Sequence, residues 1–257
     1  MQIRDLPRMR AHFGWAHYLC ARIAATPGPQ SALAKRVQRY LEDCTDDAKA
    51  AFDARHATET CERSFVRVRE DDPNMRWGYS PICGEFLREM LASIPEPLNT
   101  YGFVDVGAGK GAAIMHARNF PFRHFYGVEL TRQFVEIARR NCRAYCYSTG
   151  LPCATCGEDP ESTFSQCGVS WICGDFFQWS IPKEPLLFFL NNPFPETLNI
   201  PAIEYIETAL RQSLKPGLLV FRKAPKSTAR YLDESKLWRA VRLAPYWRIY
   251  ASQCHAW

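Results

Sequence analysis

The sequence predicts an α/β protein with a doubly wound, mainly parallel sheet. Short apolar segments with strand character, such as 103–106 and 186–190, alternate with segments whose apolar residues recur at helical spacing. A glycine-rich turn follows the first of these strands, and single acidic residues lie at the ends of the next two. With 257 residues, 47% of them hydrophobic, the chain is long enough for a sizeable core and for one or two domains.

The order of the predicted elements divides the chain in two. We expect helices over 1–25 and 31–41, separated by a Thr-Pro-Gly-Pro breaker, and a further helix over 82–92. The strands are predicted at 103–106, 125–129, 171–173, 186–190 and 218–221, the helices between them at 112–118, 131–147 and 201–214, and a terminal hairpin at 240–243 and 247–251. This pattern predicts a helical N-terminal lobe over 1–93 and a catalytic-type domain over 94–257.

Composition and charge narrow the class of protein. Aromatic residues make up 13% of the chain, which excludes disorder throughout. No apolar run approaches the roughly 18 residues that span a bilayer. The N-terminus lacks a secretory pattern, so we expect an intracellular protein whose eleven cysteines are thiols or metal ligands. The net charge of +5 is concentrated at two basic ends, 1–40 and 215–248, which either face a polyanion or are ordinary solvated surfaces.

The glycine-rich turn reads Gly107-Ala108-Gly109-Lys110-Gly111 and lies just after Asp105. Its spacing differs from the dinucleotide fingerprint and from the phosphate loop, which disfavours a triphosphate ligand. Glu129 ends the second strand, where a carboxylate can accept both hydroxyl groups of a ribose, and Asp175 follows the third, near an adenine amino group. Helix caps or surface loops are the structural alternative. The set favours a ligand with adenosine and a cationic amino-acid arm.

These features resemble the cofactor motifs of the class I S-adenosylmethionine-dependent methyltransferases. The resemblance implies a seven-stranded methyltransferase sheet, S-adenosylmethionine as cofactor and S-adenosylhomocysteine as product. The residues that it implies for cofactor binding in the sheet domain are Asp105, Gly107, Ala108, Gly109, Gly111, Glu129, Leu130, Asp175 and Phe176.

The loop after the fourth strand reads Asn191-Asn192-Pro193-Phe194, and in such a fold it faces the transferable methyl group. Methyl transfer needs an in-line nucleophile about 3 Å from the methyl carbon. Amide and backbone carbonyl oxygens can orient an amine, while aromatic walls exclude water and tolerate a cation. A plain turn is the alternative, because Asn and Pro are common in turns. The loop holds no candidate general base, so we expect the amine to lose its proton before docking.

The Asn-Asn-aromatic loop after Gly-Asp-Phe resembles the histone lysine methyltransferases of the disruptor-of-telomeric-silencing type, which lack a SET domain. This resemblance covers about 77–251 and implies that Tyr79 and Glu85 belong to a loop over the cofactor. It also implies that Tyr250 lines the lysine channel. The implied substrate is a histone in the nucleosome, with DNA phosphates contacting the basic ends and the protein located in the nucleus.

Other acceptors stay open. A proline separates Asn192 from Phe194, which makes the loop also similar to the Asn-Pro-Pro-aromatic loop of enzymes that methylate exocyclic or amide nitrogens. A nucleic-acid base, another protein or a small-molecule amine is therefore the first alternative, with a cytoplasmic location. An inactive scaffold that binds the cofactor is the second.

The cysteine cluster allows two interpretations. Cys153 and Cys156 have the spacing of half a zinc knuckle, and Cys167 with Cys146 would complete four ligands. Because a second Cys-x-x-Cys pair is absent, free thiols in an insertion are favoured over a zinc site, and no metal is expected.

Overall fold

The computed structural model describes residues 48–61, 64–67, 76–151, 155–158, 163–166, 168–244 and 247–253. The helices are α1 (48–56), α2 (Gly84–Ala92), α3 (Ala112–Ala117), α4 (Arg132–Thr149), α5 (Glu196–Ser213) and α6 (Lys226–Glu234). The strands are β1 (Ser64–Arg67), β2 (Arg76–Tyr79), β3 (Gly102–Val106), β4 (Phe125–Glu129), β5 (Thr155–Glu158), β6 (Thr163–Gln166), β7 (Val169–Cys173), β8 (Leu186–Leu190), β9 (Gly217–Arg222), β10 (Trp238–Leu243) and β11 (Trp247–Ser252). The helices predicted at 1–25 and 31–41 lie outside the described residues.

The main sheet has the strand order β10-β11-β9-β8-β3-β4-β7-β6-β5. Strands β7, β4, β3, β8 and β9 pair in parallel, whereas β11 pairs antiparallel with both β9 and β10. The seven strands from β10 to β7 form the doubly wound, mainly parallel sheet that the sequence predicted. Strands β6 and β5 extend its edge as an antiparallel pair, and β1 pairs antiparallel with β2 in a separate two-stranded sheet.

The central strands are buried on both faces, which explains their continuous apolar sequences. Every residue of β3 and β8 is buried, as parallel strands covered by helices require. One core lies under α2, α3 and α4 and includes Leu87, Met90, Ile114, Ala138 and Trp171. The other lies under α5 and α6 and includes Ile203, Ile206, Leu232, Trp238 and Tyr250. No helix within the described ranges is long and apolar enough to cross a membrane.

Two departures from the predicted elements affect the site. Helix α5 begins at Glu196 and not at Pro201, which lies inside the helix. The proline removes one backbone hydrogen bond, but buried Ala202, Ile203 and Ile206 hold this face of the helix on the sheet. Helix α6 was not predicted, because few of its residues are apolar, although Thr228, Ala229 and Leu232 are buried. Both helices begin at the edge of the sheet that carries the candidate site.

Candidate cofactor site

A cavity of about 590 Å³ opens at the carboxyl-terminal edge of the parallel strands. This is the edge at which open α/β sheets bind ligands, and the volume is typical of a small-molecule site. Its walls come from the segment after β2, the turn after β3, the ends of β4 and β7, and the loop after β8. The predicted site residues that line it are Tyr79, Asp105, Gly107, Ala108, Gly109, Glu129, Leu130, Asp175, Phe176, Asn191, Asn192, Pro193 and Phe194.

The three glycines of the turn lie against neighbouring residues that leave no space for a side chain at these positions. Gly107, Gly109 and Gly111 all have positive φ angles, of 73°, 52° and 84°. A Cβ atom on Gly109 would lie 2.3 Å from the Tyr79 ring, and one on Gly111 would lie 2.9 Å from the ring of Trp171. Gly109 is therefore part of the cavity wall. Gly111 lies outside the cavity and lets α3 and α4 pack closely on the sheet.

Glu129 is fixed to the backbone around the turn. One carboxylate oxygen accepts a hydrogen bond from the Gly109 N–H at 2.9 Å, and the other accepts from the Thr131 N–H at 2.9 Å. Burial raises the pKa of this carboxyl, and the backbone donors act in the opposite direction. Because each carboxylate oxygen has two lone pairs, both oxygens can accept a further hydrogen bond, as a ribose diol would donate.

Asp105 is 3% exposed and lies directly before the turn. Burial, together with the nearby charge of Glu129, raises the pKa of the Asp105 carboxyl to about 8. A cation beside this carboxyl would stabilise its ionised form. The cavity is lined by Asp105, Glu129 and Asp175, and none of its described lining residues is Lys or Arg. This charge balance favours a cationic ligand over a phosphate or a pyrophosphate.

Asp175 both caps a short helix and lines the cavity. Its Oδ1 atom accepts a hydrogen bond at 3.0 Å from the Phe177 N–H, which fixes the 3₁₀ turn Phe176–Gln178, and the side chain is exposed. The aromatic rings of this turn extend the wall towards the loop after β8. The ring of Phe194 lies 5.9 Å from Phe176 and 5.8 Å from Phe177. An adenine amino group or a flat acceptor would therefore meet a carboxylate and aromatic faces together.

The two asparagines of the loop after β8 differ in their surroundings. The Asn191 Nδ2 atom donates to the Ser80 carbonyl oxygen at 3.2 Å, and its Oδ1 atom accepts from the Arg222 guanidinium at 2.9 Å. Asn192 is exposed and adopts a φ of 54°, in the left-handed region that Asn tolerates better than most residues. Asn192 is thus the asparagine better placed to meet an acceptor.

Two residues assigned from the resemblance lie away from the cavity. Glu85 is exposed in the first turn of α2 and does not line it. Tyr250 is fully buried in the core under α5 and α6, where its hydroxyl donates to Asp233 at 2.8 Å and accepts from Arg248 at 3.2 Å. Strand β11 is separated from β8 by β9, so the structure places Tyr250 in the core and not at an acceptor channel.

Residues before the sheet support the site through contacts that the sequence did not predict. The Tyr79 hydroxyl donates to the Thr60 carbonyl oxygen at 3.1 Å. Asp53 holds this loop by accepting hydrogen bonds from Thr58, Thr60 and Cys61. Burial raises the pKa of the Asp53 carboxyl, but these hydrogen bonds outweigh it and keep the pKa below its usual value. The loop is also joined to the glycine turn, because the buried Lys110 ammonium lies 3.2 Å from Glu59. Other lining residues outside the predicted set include Ser80, Ile82, Thr131, Phe134, Phe177, Phe189 and Leu198.

The described cysteines form no metal centre. Cys146 is 1% exposed and packs in the core from α4. Cys153, Cys167 and the side chain of Cys156 lie outside the described residues, so the zinc alternative stays a hypothesis. Within the described residues, no group of His, Cys, Asp and Glu is arranged to hold a metal ion.

Among known proteins, the chain is similar to solved structures alone. No protein-family model and no curated protein matches the chain. The RNA methyltransferase from Salinibacter ruber, in complex with S-adenosylhomocysteine, is 17% identical over 67% of this chain and 92% of its own, with a TM-score of 0.41. The cofactor-bound protein Rv0187 from MTB is 14% identical over 88% and 98%, with a TM-score of 0.47. The putative methyltransferase yhhF from Escherichia coli is 14% identical over 66% and 85%, with a TM-score of 0.45. Similarities with such low identities and TM-scores do not assign a function, so the assignment depends on the residues of this chain.

Proposed function

We propose that this protein is an S-adenosylmethionine-dependent methyltransferase. The observation that carries the proposal is the acidic cavity at the carboxyl-terminal edge of β3, β4, β7 and β8, one wall of which is the backbone of the glycine turn. A cavity lined by three carboxylates and, among its described residues, by no Lys or Arg suits a ligand with positive charge. S-adenosylmethionine has an ammonium and a sulfonium group, whereas nucleoside triphosphates and dinucleotides carry negative charge.

Each part of that cofactor has a matching group in the cavity. Glu129, fixed by two backbone N–H groups, would accept the ribose hydroxyls. Asp175 would accept the adenine amino group, and Asp105 would meet the charged amino-acid end. Gly107 and Gly109 line the cavity with backbone alone, so the chain can approach the ligand closely. The cofactor supplies an electrophilic methyl group, and these residues bind and orient it.

The loop after β8 favours a nitrogen acceptor. Asn192 is the exposed amide of the loop, and Phe194 belongs to an aromatic wall with Phe176 and Phe177. An amide oxygen can orient an amine, and aromatic groups that exclude water lower the pKa of an amine by desolvation. The described loop contains no general base, so the acceptor amine loses its proton to solvent before it docks.

Within this class, we propose a protein lysine as acceptor, in a histone of the nucleosome. Support comes from the Asn-Asn-aromatic pattern and from the basic ends 1–40 and 215–248, which would contact DNA phosphates. This substrate would place the protein in the nucleus. The insertion of Pro193 favours a nucleic-acid base as the second candidate, because that loop is similar to loops of enzymes that methylate exocyclic or amide nitrogens.

Transfer of a radiolabelled methyl group to a panel of acceptors tests this proposal. The panel contains nucleosomes, free histones, DNA, RNA and small amines. We expect label on nucleosomes that decreases steeply with added salt, since phosphate contacts release counterions. Glu129→Gln should abolish labelling, whereas Glu136→Gln, an exposed carboxylate on α4, should retain it. Label found only on nucleic acids or small amines would exclude the histone substrate, and no label on any acceptor would count against the activity.

A further inference from the structure

A chain of hydrogen bonds joins the loops that follow three separate strands. The Arg222 guanidinium, at the end of β9, donates to Asn191 Oδ1 at 2.9 Å. The Asn191 Nδ2 atom, just after β8, donates to the carbonyl oxygen of Ser80 at 3.2 Å. Ser80 follows β2 and lies in the segment 79–82, which forms one wall of the cofactor cavity. The acceptor side of the cavity is therefore bonded to the wall that covers the cofactor side.

The segment 79–82 is anchored at both of its ends. Tyr79 packs on the glycine turn, where its ring fills the space that a Cβ atom of Gly109 would need. Pro81 and Ile82 are buried, and Ile82 is only 1% exposed. Ser80 lies between these anchors and is exposed, and its carbonyl oxygen is held by Asn191. The bond from Asn191 thus acts at the exposed part of the cavity wall.

The orientation of the Asn191 amide follows from the chemistry of its partners. A guanidinium can only donate hydrogen bonds, and a backbone carbonyl can only accept them. Arg222 therefore selects the orientation in which the amide oxygen faces β9 and the amide nitrogen faces Ser80. Without that donor, the amide is free to rotate and can present its oxygen to the Ser80 carbonyl, which is repulsive.

We propose that Arg222 is a positioning residue that acts through Asn191 to hold the segment 79–82 closed over the bound cofactor. This inference deepens the proposed function and depends on it for the identity of the cofactor. It assigns the Asn191 amide to closure of the cavity and leaves Asn192 to face the acceptor. Because closure affects cofactor release more than methyl transfer itself, loss of the bond should raise the KM for S-adenosylmethionine and change kcat little.

Four variants of the full chain test the proposal. Arg222→Leu removes the donor, and Arg222→Lys restores a charged donor. Asn191→Asp keeps an acceptor for Arg222 but loses the donor to Ser80. Arg239→Leu makes the same change as Arg222→Leu at an exposed arginine of β10 and is the matched control. Thermal unfolding confirms that each variant is folded.

Amide hydrogen exchange in the segment 79–82, in which every residue except Pro81 has a backbone N–H, and calorimetric binding of S-adenosylhomocysteine are the two measurements. We expect Arg222→Leu and Asn191→Asp to speed exchange in this segment and to weaken binding by up to roughly tenfold, the size expected for the loss of the neutral bond from Asn191 to Ser80. Arg222→Lys should recover part of the loss, and Arg239→Leu should behave as wild type. In transfer assays, the KM for S-adenosylmethionine should rise while kcat stays within about twofold.

The outcomes separate this inference from the proposed function. Exchange at the wild-type rate in the segment 79–82 of both Arg222→Leu and Asn191→Asp would overturn the positioning role, whatever the cofactor. If Arg222→Leu does not fold, Asn191→Asp and Arg222→Lys decide the same question. Wild-type protein that binds no S-adenosylhomocysteine would contradict the proposed function, while the exchange data would still test whether the bond closes the segment.

Discussion

Replacing Gly109 with alanine tests the geometry of the cavity wall most sharply. Gly109 has a φ of 52°, and a Cβ atom there would lie 2.3 Å and 2.4 Å from two carbon atoms of the Tyr79 ring. Ordinary carbon contacts require the ring to retreat by about 1 Å. The ring cannot move easily, because its hydroxyl is bonded to Thr60 and it packs on Phe134 at 5.6 Å. The turn itself must then shift, which disturbs the hydrogen bond from the Gly109 N–H to the Glu129 carboxylate.

The chain offers a matched control in Gly150, at the end of α4. It has a φ of 69°, and a Cβ atom there would meet nothing within 4 Å. Both substitutions carry the cost of a left-handed alanine, about 1 kcal/mol. Gly109→Ala additionally weakens the hydrogen bond from the Gly109 N–H to the Glu129 carboxylate, and a bond to a charged group contributes about 2 kcal/mol. Because the ligand must then draw Glu129 back into place, affinity should fall by up to the equivalent of that bond, roughly thirtyfold.

Urea unfolding measures the loss of stability, and calorimetric titration with S-adenosylhomocysteine measures the loss of affinity. Gly150→Ala should lose about 1 kcal/mol of stability and bind as wild type. Gly109→Ala should bind roughly thirtyfold more weakly. Equal affinities for the two variants, or a Gly109→Ala protein that binds within about threefold of wild type, would refute the argument that the turn cradles the ligand.

Three further predictions concern charge and burial. Because the pKa of Asp105 is raised to about 8, a cation that binds beside this carboxyl should drive release of its proton. Affinity for S-adenosylmethionine should therefore rise between about pH 6 and pH 8, and titration in buffers of different ionisation enthalpy should detect the released proton. Burial, with Arg88 nearby, lowers the pKa of His116 to about 4. The free energy of unfolding should therefore be highest above about pH 6.5 and fall by up to about 3 kcal/mol as the pH falls to 4. His116→Gln should abolish this pH dependence in urea unfolding. The buried Glu207 accepts from the Trp238 indole at 2.9 Å, so Glu207→Leu should lower the unfolding free energy by about 1–3 kcal/mol, and binding of S-adenosylhomocysteine should be unchanged.

The centre of the sheet was predictable because strands such as β3 and β8 are buried on both faces and therefore read as continuous apolar runs. Strands β4 and β8 were predicted with the bounds that the structure has. Helix α6 was missed because only a few of its residues face the core, and its neighbours in the sequence are polar. The start of α5 was missed because Pro201 is typical of a first helical turn, whereas packing of the helix on the sheet tolerates it in the interior.

The cavity residues that follow strands directly were predictable, because the carboxyl ends of parallel strands meet at one edge of the sheet. Asp105, Glu129 and Asp175 line one cavity for this reason. Contacts between residues distant in sequence were not predictable. The bonds from Asn191 to Ser80 and Arg222 join residues 111 and 31 positions apart, and no local pattern specifies them. Tyr250 was assigned by resemblance alone, and its strand register places it in the core.

The most direct test of the central claim is calorimetric titration of the purified chain with S-adenosylmethionine, followed by the same titration in the presence of ATP and of NAD. The charge of the cavity predicts saturable one-to-one binding of S-adenosylmethionine that neither ATP nor NAD displaces. Absence of binding at about 1 mM S-adenosylmethionine, or displacement by either of these anionic nucleotides, would contradict the assignment of the cavity to this cofactor.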